Sequence, residues 1–387
     1  MQTVRALGTD VLDLFRRQGE LSRIDVIEAS GLSRSTVNQR LTLLLDAGLI
    51  LPTGGGESTG GRPSSKFRFN TERACILAAD IGASGFTAAV CDLDGRPLTT
   101  TSRTIEVAEG PEAVLAAVVG AFEELAPELE VWGIGIGVPG PVEFAARRVV
   151  NPPIMSGWDR FDIAGWFAPH YDAPVVVEND ANARAIAEAR SLGLDNVIAL
   201  KLGSGVGAGL VSNGQLIRGD KGAAGDIGHT RSVTRDAEAR LCRCGNLDCV
   251  EAYAGGWALR RDLERVGIAT SSTSDVVALL ERGDEVALAR VRAAGRTLGD
   301  AVATLVGVFN PRAVVVSGRL AESGEVLFSG IRERVYQQAA PLLTGDLVIA
   351  KTTLGDEAGV IGLALETIDT VFSGEEVAAP RAVVAVG

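Results

Sequence analysis

Histidine, methionine and tyrosine are scarce in this chain, which has two, two and three of them among 387 residues. No apolar run approaches the length of a membrane-spanning helix, and no secretory leader is evident, so we expect a cytoplasmic protein with no membrane partner. Basic residues are outnumbered by acidic ones, and the net charge of -12 excludes a protein coated in basic surface for nucleic acid.

The acidic charge is unevenly distributed. Residues 1–70 carry nine Lys/Arg against seven Asp/Glu, whereas the remaining residues carry 28 against 42. With 46% hydrophobic residues, the chain is long enough for two or three domains with a sizeable core. A mildly basic head on an acidic body is compatible with a small DNA-binding module attached to a larger domain.

Three of the five cysteines lie within eight residues, at Cys242, Cys244 and Cys249, and His229 lies thirteen positions before the first of them. Zinc takes four such ligands, and thiolates with an imidazole complete its shell without a position for water. The spacing therefore favours a structural zinc site over a disulfide or a set of merely buried cysteines. Cys75 and Cys91 lie in apolar strand-like runs and are expected in the core.

Residues 21–51 have the pattern of two helices joined by a tight turn. Ser22 and Ser33 are placed as N-caps, and Gly31 lies in the turn between the helices. The second helix has one apolar face, and its opposite face carries side chains able to reach phosphates and base edges. We expect a DNA-binding helix-turn-helix, with an ordinary helical hairpin as the alternative. The predicted DNA contacts on the second helix are Arg34, Ser35, Thr36, Asn38, Gln39 and Arg40.

A Gly-rich stretch follows, and the alternation of Lys66-Phe67-Arg68-Phe69 predicts a strand after it. The segment 54–65 fits the tip of a winged hairpin that displays Arg62 to a narrow minor groove. A plain Gly/Ser linker with an incidental arginine is the alternative.

From residue 74 the sequence changes to buried strands that end in small-residue turns. Backbone N–H groups in such turns can surround a phosphate, with Asp80 directed at a magnesium ion, although a tight hairpin would also explain the second turn. A further strand ends at Glu178-Asn179-Asp180, where α/β folds place ligand sites. Two such hairpins indicate a duplicated α/β fold with a nucleotide cleft between its halves. The turn residues are Asp80, Gly82 and Ser84 in the first turn and Gly203, Ser204 and Gly205 in the second.

These motifs together resemble the ROK family of repressors, open reading frames and sugar kinases, in its regulator branch with an N-terminal winged helix. The resemblance implies an actin-like, ribonuclease-H-like sugar kinase fold, an α/β body of two lobes with the sugar between them. We expect a winged helix-turn-helix domain at 1–70, the two-lobed domain with its zinc site at 71–372 and a disordered tail at 373–387. The matching segments are the helix-turn-helix, the turn at 80–84, the loop at 137–141, Glu178-Asn179-Asp180, the turn at 203–209, the motif at 225–229, and the cysteine cluster with Glu251.

The resemblance also implies residue roles. Asp180 matches the catalytic base of the family's kinases, for which a carboxylate accepts the proton of the attacking hydroxyl. His229 is implied to hold zinc with one ring nitrogen and to meet the sugar with the other. The implied sugar ligands are Asn179, Asp180, Asp226, His229 and Glu251.

Three positions depart from the family pattern. Asp226 stands where the family has glutamate, which shortens its reach to the sugar by one methylene. Ala83-Ser84 replaces Gly-Thr in the first phosphate turn and keeps a hydroxyl. Arg319, in the adenosine-side turn at 316–319, is expected to crowd the nucleotide pocket.

The resulting expectation is a sugar-responsive DNA-binding transcriptional regulator, a repressor of carbohydrate uptake or metabolism genes. Its partners would be an operator in double-stranded DNA and a small sugar, and homodimers or dimers of dimers would read paired half-sites. An ATP- and magnesium-dependent hexose kinase, alone or combined with regulation, is the alternative. A regulator that responds to a protein partner is a third possibility.

Overall fold

The computed structural model describes residues 9–53, 66–233 and 238–373. Within them, the chain forms an N-terminal head followed by two α/β lobes. No helix among these residues has the length and apolarity needed to cross a membrane. The head consists of α1 (Thr9–Gln18), β1 (Leu21–Ser22), α2 (Arg23–Ser30), α3 (Arg34–Asp46), β2 (Ile50–Thr53) and β3 (Lys66–Phe69).

The two helices of the predicted helix-turn-helix begin at the expected caps. The Ser22 hydroxyl accepts a hydrogen bond from the Asp25 N–H, and the Asp25 carboxylate accepts one from the Ser22 N–H at 2.7 Å. Gly31 ends α2 with a φ of 66°, and Ser33 caps α3. Side-chain caps satisfy backbone donors that the helix leaves unpaired, so these short polar residues fix both boundaries.

The head also contains a small sheet with the strand order β1-β3-β2. Strand β3 pairs antiparallel with β2, with Ile50 opposite Phe69, as a winged hairpin requires. The predicted wing tip at 54–65, with Arg62, lies outside the described residues. The predicted tail beyond 373 also lies outside them, while Ser373 itself is the last residue of the final helix.

The first lobe is built on a five-stranded mixed sheet with the order β10-β7-β4-β5-β6. Cys75 and Cys91, on β4 and β5, are fully buried in it as expected. The lobe contains β4 (Cys75–Ile81), β5 (Phe86–Cys91), β6 (Pro97–Arg103), α4 (Pro111–Leu125), β7 (Val131–Val138), β8 (Val142–Glu143), β9 (Arg148–Val149), α5 (Ile163–Phe167), β10 (Val175–Asn179) and α6 (Asp180–Leu192).

The second lobe repeats this topology with the order β13-β12-β11-β14-β15. In each sheet the central strand, β4 or β11, has antiparallel strands on one side and parallel strands on the other, which confirms the predicted duplication. The lobe contains β11 (Val197–Leu202), β12 (Val206–Ser212), β13 (Gln215–Leu216), α7 (Glu251–Ala254), α8 (Gly256–Glu264), α9 (Thr273–Glu281), α10 (Glu285–Phe309), β14 (Ala313–Ser317), α11 (Glu325–Gln338), α12 (Pro341–Thr344) and β15 (Val348–Lys351). The final helix α13 (Ala358–Ser373) returns to the first lobe.

Helices α6 and α13 connect the two sheets. Helix α6 packs on β11 and β12, α13 packs on β4 and β7, and the two helices pack on each other. Their crossing is close at Gly362, where a Cβ would lie 1.7 Å from the Ala183 carbonyl oxygen. Only a residue without a side chain permits this approach.

The head and the first lobe share one hydrophobic core. Phe372, on the last turn of α13, contacts the ring of Phe69 in the head edge-on at 6.0 Å, and that of Trp132 in the lobe at 6.2 Å. Arg16 of α1 lies over the Phe372 ring at 5.0 Å and pairs with Asp369 at 2.5 Å. The head is therefore packed onto the body through the end of α13.

Candidate functional site

A cavity of about 780 Å³ lies between the two lobes. Both predicted turns line it, with Asp80, Gly82 and Ser84 on one side and the turn from Gly203 to Gly205 on the other. Its volume lies within the range usual for small-molecule sites. The duplicated fold thus places two glycine turns, far apart in sequence, on opposite walls of one cleft.

All five predicted sugar ligands also line this cavity. They come from three separate segments of the chain, at 179–180, 226–229 and 251, which the fold brings together. Hydroxyl-rich ligands need such a convergent set of carboxylates, amides and imidazoles. The five residues are Asn179, Asp180, Asp226, His229 and Glu251.

Asn179 lies at the junction of β10 and α6 and caps the helix. Its side-chain oxygen accepts hydrogen bonds from the N–H groups of Ala181 and Asn182 at 3.0 and 3.2 Å, and its amide donates to the Gly140 carbonyl at 3.0 Å. The cap fixes the orientation of the Asn179 side chain at the cavity wall.

Glu178 is buried, does not line the cavity, and stabilises the junction of β10 and α6 through hydrogen bonds. Its carboxylate accepts hydrogen bonds from the Asn179 N–H at 2.8 Å, the Asn182 amide at 2.9 Å and the Arg218 guanidinium at 2.8 Å. Arg218 also pairs with Glu366 on α13 at 2.6 Å, so it ties the loop after β13 to the first lobe. Arg218 was not anticipated from sequence.

Two carboxylates on the cavity floor are each paired with a cation. Asp180 contacts the Lys201 ammonium, and Asp80 accepts a hydrogen bond from Arg184 at 2.7 Å. Burial raises the pKa of Asp180, and the nearby Lys201 opposes that rise. The second oxygen of Asp80 is buried and has no hydrogen-bond partner among the described residues. Lys201 and Arg184 are functional candidates that sequence reasoning missed.

The predicted metal ligands converge beside the cavity. The Cys242 sulfur lies 3.7 Å from Nδ1 of His229, the sulfurs of Cys244 and Cys249 lie 3.7 Å apart, and all four ligand atoms lie within 4.8 Å of one another. Sulfurs 2.3 Å from a tetrahedral zinc are about 3.8 Å apart. The spacing and the donor set therefore fit zinc, and the cysteines are free thiols rather than a disulfide.

Burial is the largest cause that raises the pKa of the Cys242 and Cys249 thiols. A cation bound among them would reverse this effect, because metal ligation requires and stabilises thiolates. The metal would supply a fixed frame for the loop and no open coordination position, so its role would be structural.

Glu251 connects this cluster to the second glycine turn. It begins α7 two residues after Cys249, and its carboxylate accepts hydrogen bonds from the Val206 N–H at 3.0 Å and the Trp257 indole at 2.9 Å. Asp226 also lines the cavity, on an exposed loop, and its side chain makes no hydrogen bond to any of the described residues.

In the two turns predicted to bind phosphate, the Gly82 N–H donates to the Gly85 carbonyl at 2.7 Å, and the Gly203 N–H donates to the Gly205 carbonyl at 3.1 Å. Ser84 is exposed to the cavity, so its hydroxyl is available there. Arg319, which was expected to crowd a nucleotide pocket, also lines the cavity.

The predicted DNA face of α3 is on the surface of the head. Arg34, Ser35 and Gln39 are exposed, and Thr36, Asn38 and Arg40 are half-buried. Arg40 is engaged by Asp10 of α1, and Asn38 accepts a hydrogen bond from Arg23 at 3.0 Å. Arg23 is an exposed residue that sequence reasoning missed.

Fold and site together define a two-lobed protein of the sugar-kinase type that carries a winged-helix head. The chain belongs to the ROK family, which it matches over residues 76–369, and residues 7–50 match a winged helix-turn-helix DNA-binding domain.

Similar proteins include both repressors and kinases. The xylose repressor of Bacillus subtilis is 28% identical over 361 residues, which cover 91% of this chain and 92% of the relative. A solved ROK family transcriptional regulator, described as a homologue of the E. coli MLC protein, superposes with a TM-score of 0.80 at 26% identity over 96% of this chain and 97% of that one. A ROK family glucokinase from Streptomyces griseus, solved with glucose and AMPPNP, superposes with a TM-score of 0.66 at 29% identity. The superposition covers 76% of this chain and 99% of the glucokinase.

Proposed function

We propose that this protein is a sugar-responsive transcriptional repressor that binds operator DNA through its head and a sugar in its interlobe cavity. One observation carries the proposal: a winged-helix head shares a core with a body whose cavity gathers Asn179, Asp180, His229 and Glu251. The similarity to a xylose repressor, which extends over the head as well as the body, supports it.

The DNA contacts follow from the surface of α3. Its exposed N-terminal residues Arg34 and Ser35, with Gln39 one turn later, form the edge that a recognition helix presents to the major groove. Arg34 would contact a phosphate or a guanine, and Gln39 a base edge.

In the cavity, Asp180 and Glu251 would accept sugar hydroxyls, with Asn179 and Asp226 beside them. Zinc held by His229, Cys242, Cys244 and Cys249 would fix the imidazole, because Nδ1 faces the cysteines and the other ring nitrogen is left for the sugar. The metal thereby supports recognition without taking part in a reaction.

A sugar that binds one arrangement of the lobes better than another would shift their equilibrium. Helix α13 starts beside the cavity, where Gly359 lies against Asp80, and ends in the core of the head at Phe372. In a homodimer or a dimer of dimers, the spacing of paired heads would then depend on the sugar.

The test is a sugar titration of an operator complex. Duplexes would be selected on the full chain from random DNA, and their affinity measured by fluorescence anisotropy with D-xylose, D-glucose, other monosaccharides and their phosphates. We expect one of these to change DNA affinity about 5- to 150-fold, the usual range of such coupling. Asp180→Ala should bind the same duplex without responding. A chain whose DNA affinity no sugar changes would contradict the proposal.

A hexose kinase is the second candidate, favoured by the similarity to a glucokinase and by the position of Asp180 between both glycine turns. It predicts sugar-dependent ADP release in the presence of magnesium and ATP that disappears in Asp180→Ala.

A further inference from the structure

Lys201 is the one charged residue of β11, a strand whose other residues are apolar. Its side chain extends into the cavity and is 18% exposed, whereas that of Asp180 is 7% exposed. The contact between them joins a strand of the second lobe to the first turn of α6. A buried pair of this kind is costly to form, which makes its position at the ligand site informative.

The other groups around Asp180 do not replace Lys201. Asp80 on β4 repels the Asp180 charge. The charge of Arg184 on α6 also lowers the pKa of Asp180, but Arg184 donates its hydrogen bond to Asp80 at 2.7 Å and not to Asp180. Within the described part of the chain, Lys201 is thus the cation in contact with Asp180, and it contacts Oδ2. Among the described residues, no protein group is hydrogen-bonded to Oδ1 of Asp180.

We propose that Lys201 is a positioning residue of the sugar site: its ammonium holds one oxygen of Asp180 and keeps the carboxylate ionised, so that the other oxygen accepts a sugar hydroxyl. This inference rests on the proposed sugar-binding function of the cavity. Hydrogen bonds to an ionised acceptor are roughly twice as strong as those between neutral groups.

The pH dependence of sugar affinity follows from this arrangement. Burial raises the pKa of Asp180, and the Lys201 charge opposes that rise. Without the ammonium, the pKa of Asp180 rises further, and the carboxyl becomes protonated at a higher pH. Sugar affinity is highest above the pKa and falls as the pH drops through it. Loss of Lys201 therefore moves the acid limb of the affinity profile to higher pH.

The experiment measures sugar dissociation constants by calorimetry from pH 5 to 8.5 on the full chain, with D-xylose and D-glucose as probes. Lys201→Met removes the charge at similar length, and Lys201→Arg keeps it as the matched control. We expect Lys201→Met to weaken binding about ten-fold at neutral pH and to shift the acid limb upward. Lys201→Arg should retain the wild-type limb.

The double variant Lys201→Met/Asp180→Asn covers the case in which Lys201→Met fails to fold, because it removes both charges. Its sugar affinity should equal that of Asp180→Asn at every pH, since Lys201 acts through Asp180. A double variant that binds much more weakly than Asp180→Asn would overturn the inference in favour of a direct Lys201 contact to the sugar.

Two failures are distinguishable. A sugar that binds the wild type and Lys201→Met with the same affinity and the same pH profile overturns the role of Lys201 alone. If neither probe nor any other monosaccharide binds the wild type, the proposed function and this inference fall together.

Discussion

At the scale of single residues, His229 occupies the boundary between the predicted metal ligands and the cavity. Its Nδ1 lies 3.7 Å from the Cys242 sulfur, and its ring also lines the cleft. The Cys249 sulfur lies 3.5 Å from the His229 carbonyl, which ties the same residue to the cluster through the backbone. One residue can therefore serve both the fold and the ligand.

His229→Cys separates these two roles. Four cysteines are a common structural zinc set, so the variant should retain one zinc per chain. It lacks the ring nitrogen on the cavity side, and the loss of one hydrogen bond should weaken sugar binding about ten-fold. Zinc is measured by atomic absorption and sugar affinity by calorimetry.

Cys242→Ser is the control for His229→Cys. It should lose zinc, and the loss of its sugar response should be proportional to the fraction of zinc that is lost. A zinc-loaded His229→Cys with wild-type sugar affinity would show that the imidazole does not meet the sugar, and a full sugar response in metal-free protein would remove the metal from recognition altogether.

The sequence predicts which residues line this site better than it predicts which of them form ion pairs. Asp180 and His229 stand in compact motifs that can be read locally, and both line the cavity. Arg184 lies in an alanine-rich helix, and its partner Asp80 is 104 positions away, so only the folded chain brings them together. Lys201 did leave a signal, a single charge inside an apolar strand, which predicts a buried partner.

At the scale of elements, α3 presents two arginines that the structure distinguishes. Arg34 is exposed at its first turn, whereas Arg40 is paired with Asp10 of α1. A guanidinium that is already neutralised by a carboxylate displaces fewer counterions from the DNA when it approaches a phosphate.

Arg34→Ala should weaken operator binding on all sequences and reduce the slope of log affinity against log salt by about 0.9, as expected for one phosphate contact. Arg40→Ala should leave the slope near the wild-type value, because a guanidinium that is already paired with Asp10 neutralises no phosphate. Anisotropy titrations between 50 and 200 mM salt measure both slopes. Equal slope changes in the two variants would show that Arg40 exchanges Asp10 for DNA.

The boundaries of α2 and α3 could be predicted from the sequence, whereas helix α1, which packs against both, was not. Ser22 and Ser33 cap helices in the folded chain because their hydroxyls bond locally, so three or four residues contain the whole signal. Helix α1 was not predicted, although its Val11, Leu12 and Phe15 are buried in the shared core. Helix α1 packs on α2, α3 and β3 of the head, and its Arg16 reaches Phe372 of α13. Burial against elements that lie further along the chain leaves no local pattern beyond a short apolar face.

At the scale of the whole molecule, the head shares its hydrophobic core with the first lobe. The residues buried with the head include Trp132 on β7, and Leu363 and Phe372 on α13. Arg73 adds a polar contact, since it donates to the Ala47 carbonyl at 3.1 Å while its guanidinium lies 5.3 Å from the centre of the Trp132 ring. The domain at 1–70 stays a prediction from sequence, and the shared core leads us to expect that the head and the first lobe unfold together.

Phe372→Ala tests this cooperativity. Removing a buried phenylalanine costs about 3–5 kcal/mol, and here the lost contacts join Phe69 of the head to the lobe. We expect faster amide hydrogen exchange in α2, α3 and α13. Operator binding should also weaken. Phe328→Ala, equally buried in the second lobe, is the matched control and should accelerate exchange around α10 and α11 with little effect on the head. If Phe372→Ala leaves exchange in α3 unchanged, the head folds independently, and α13 cannot be the element that carries the state of the cavity to the DNA.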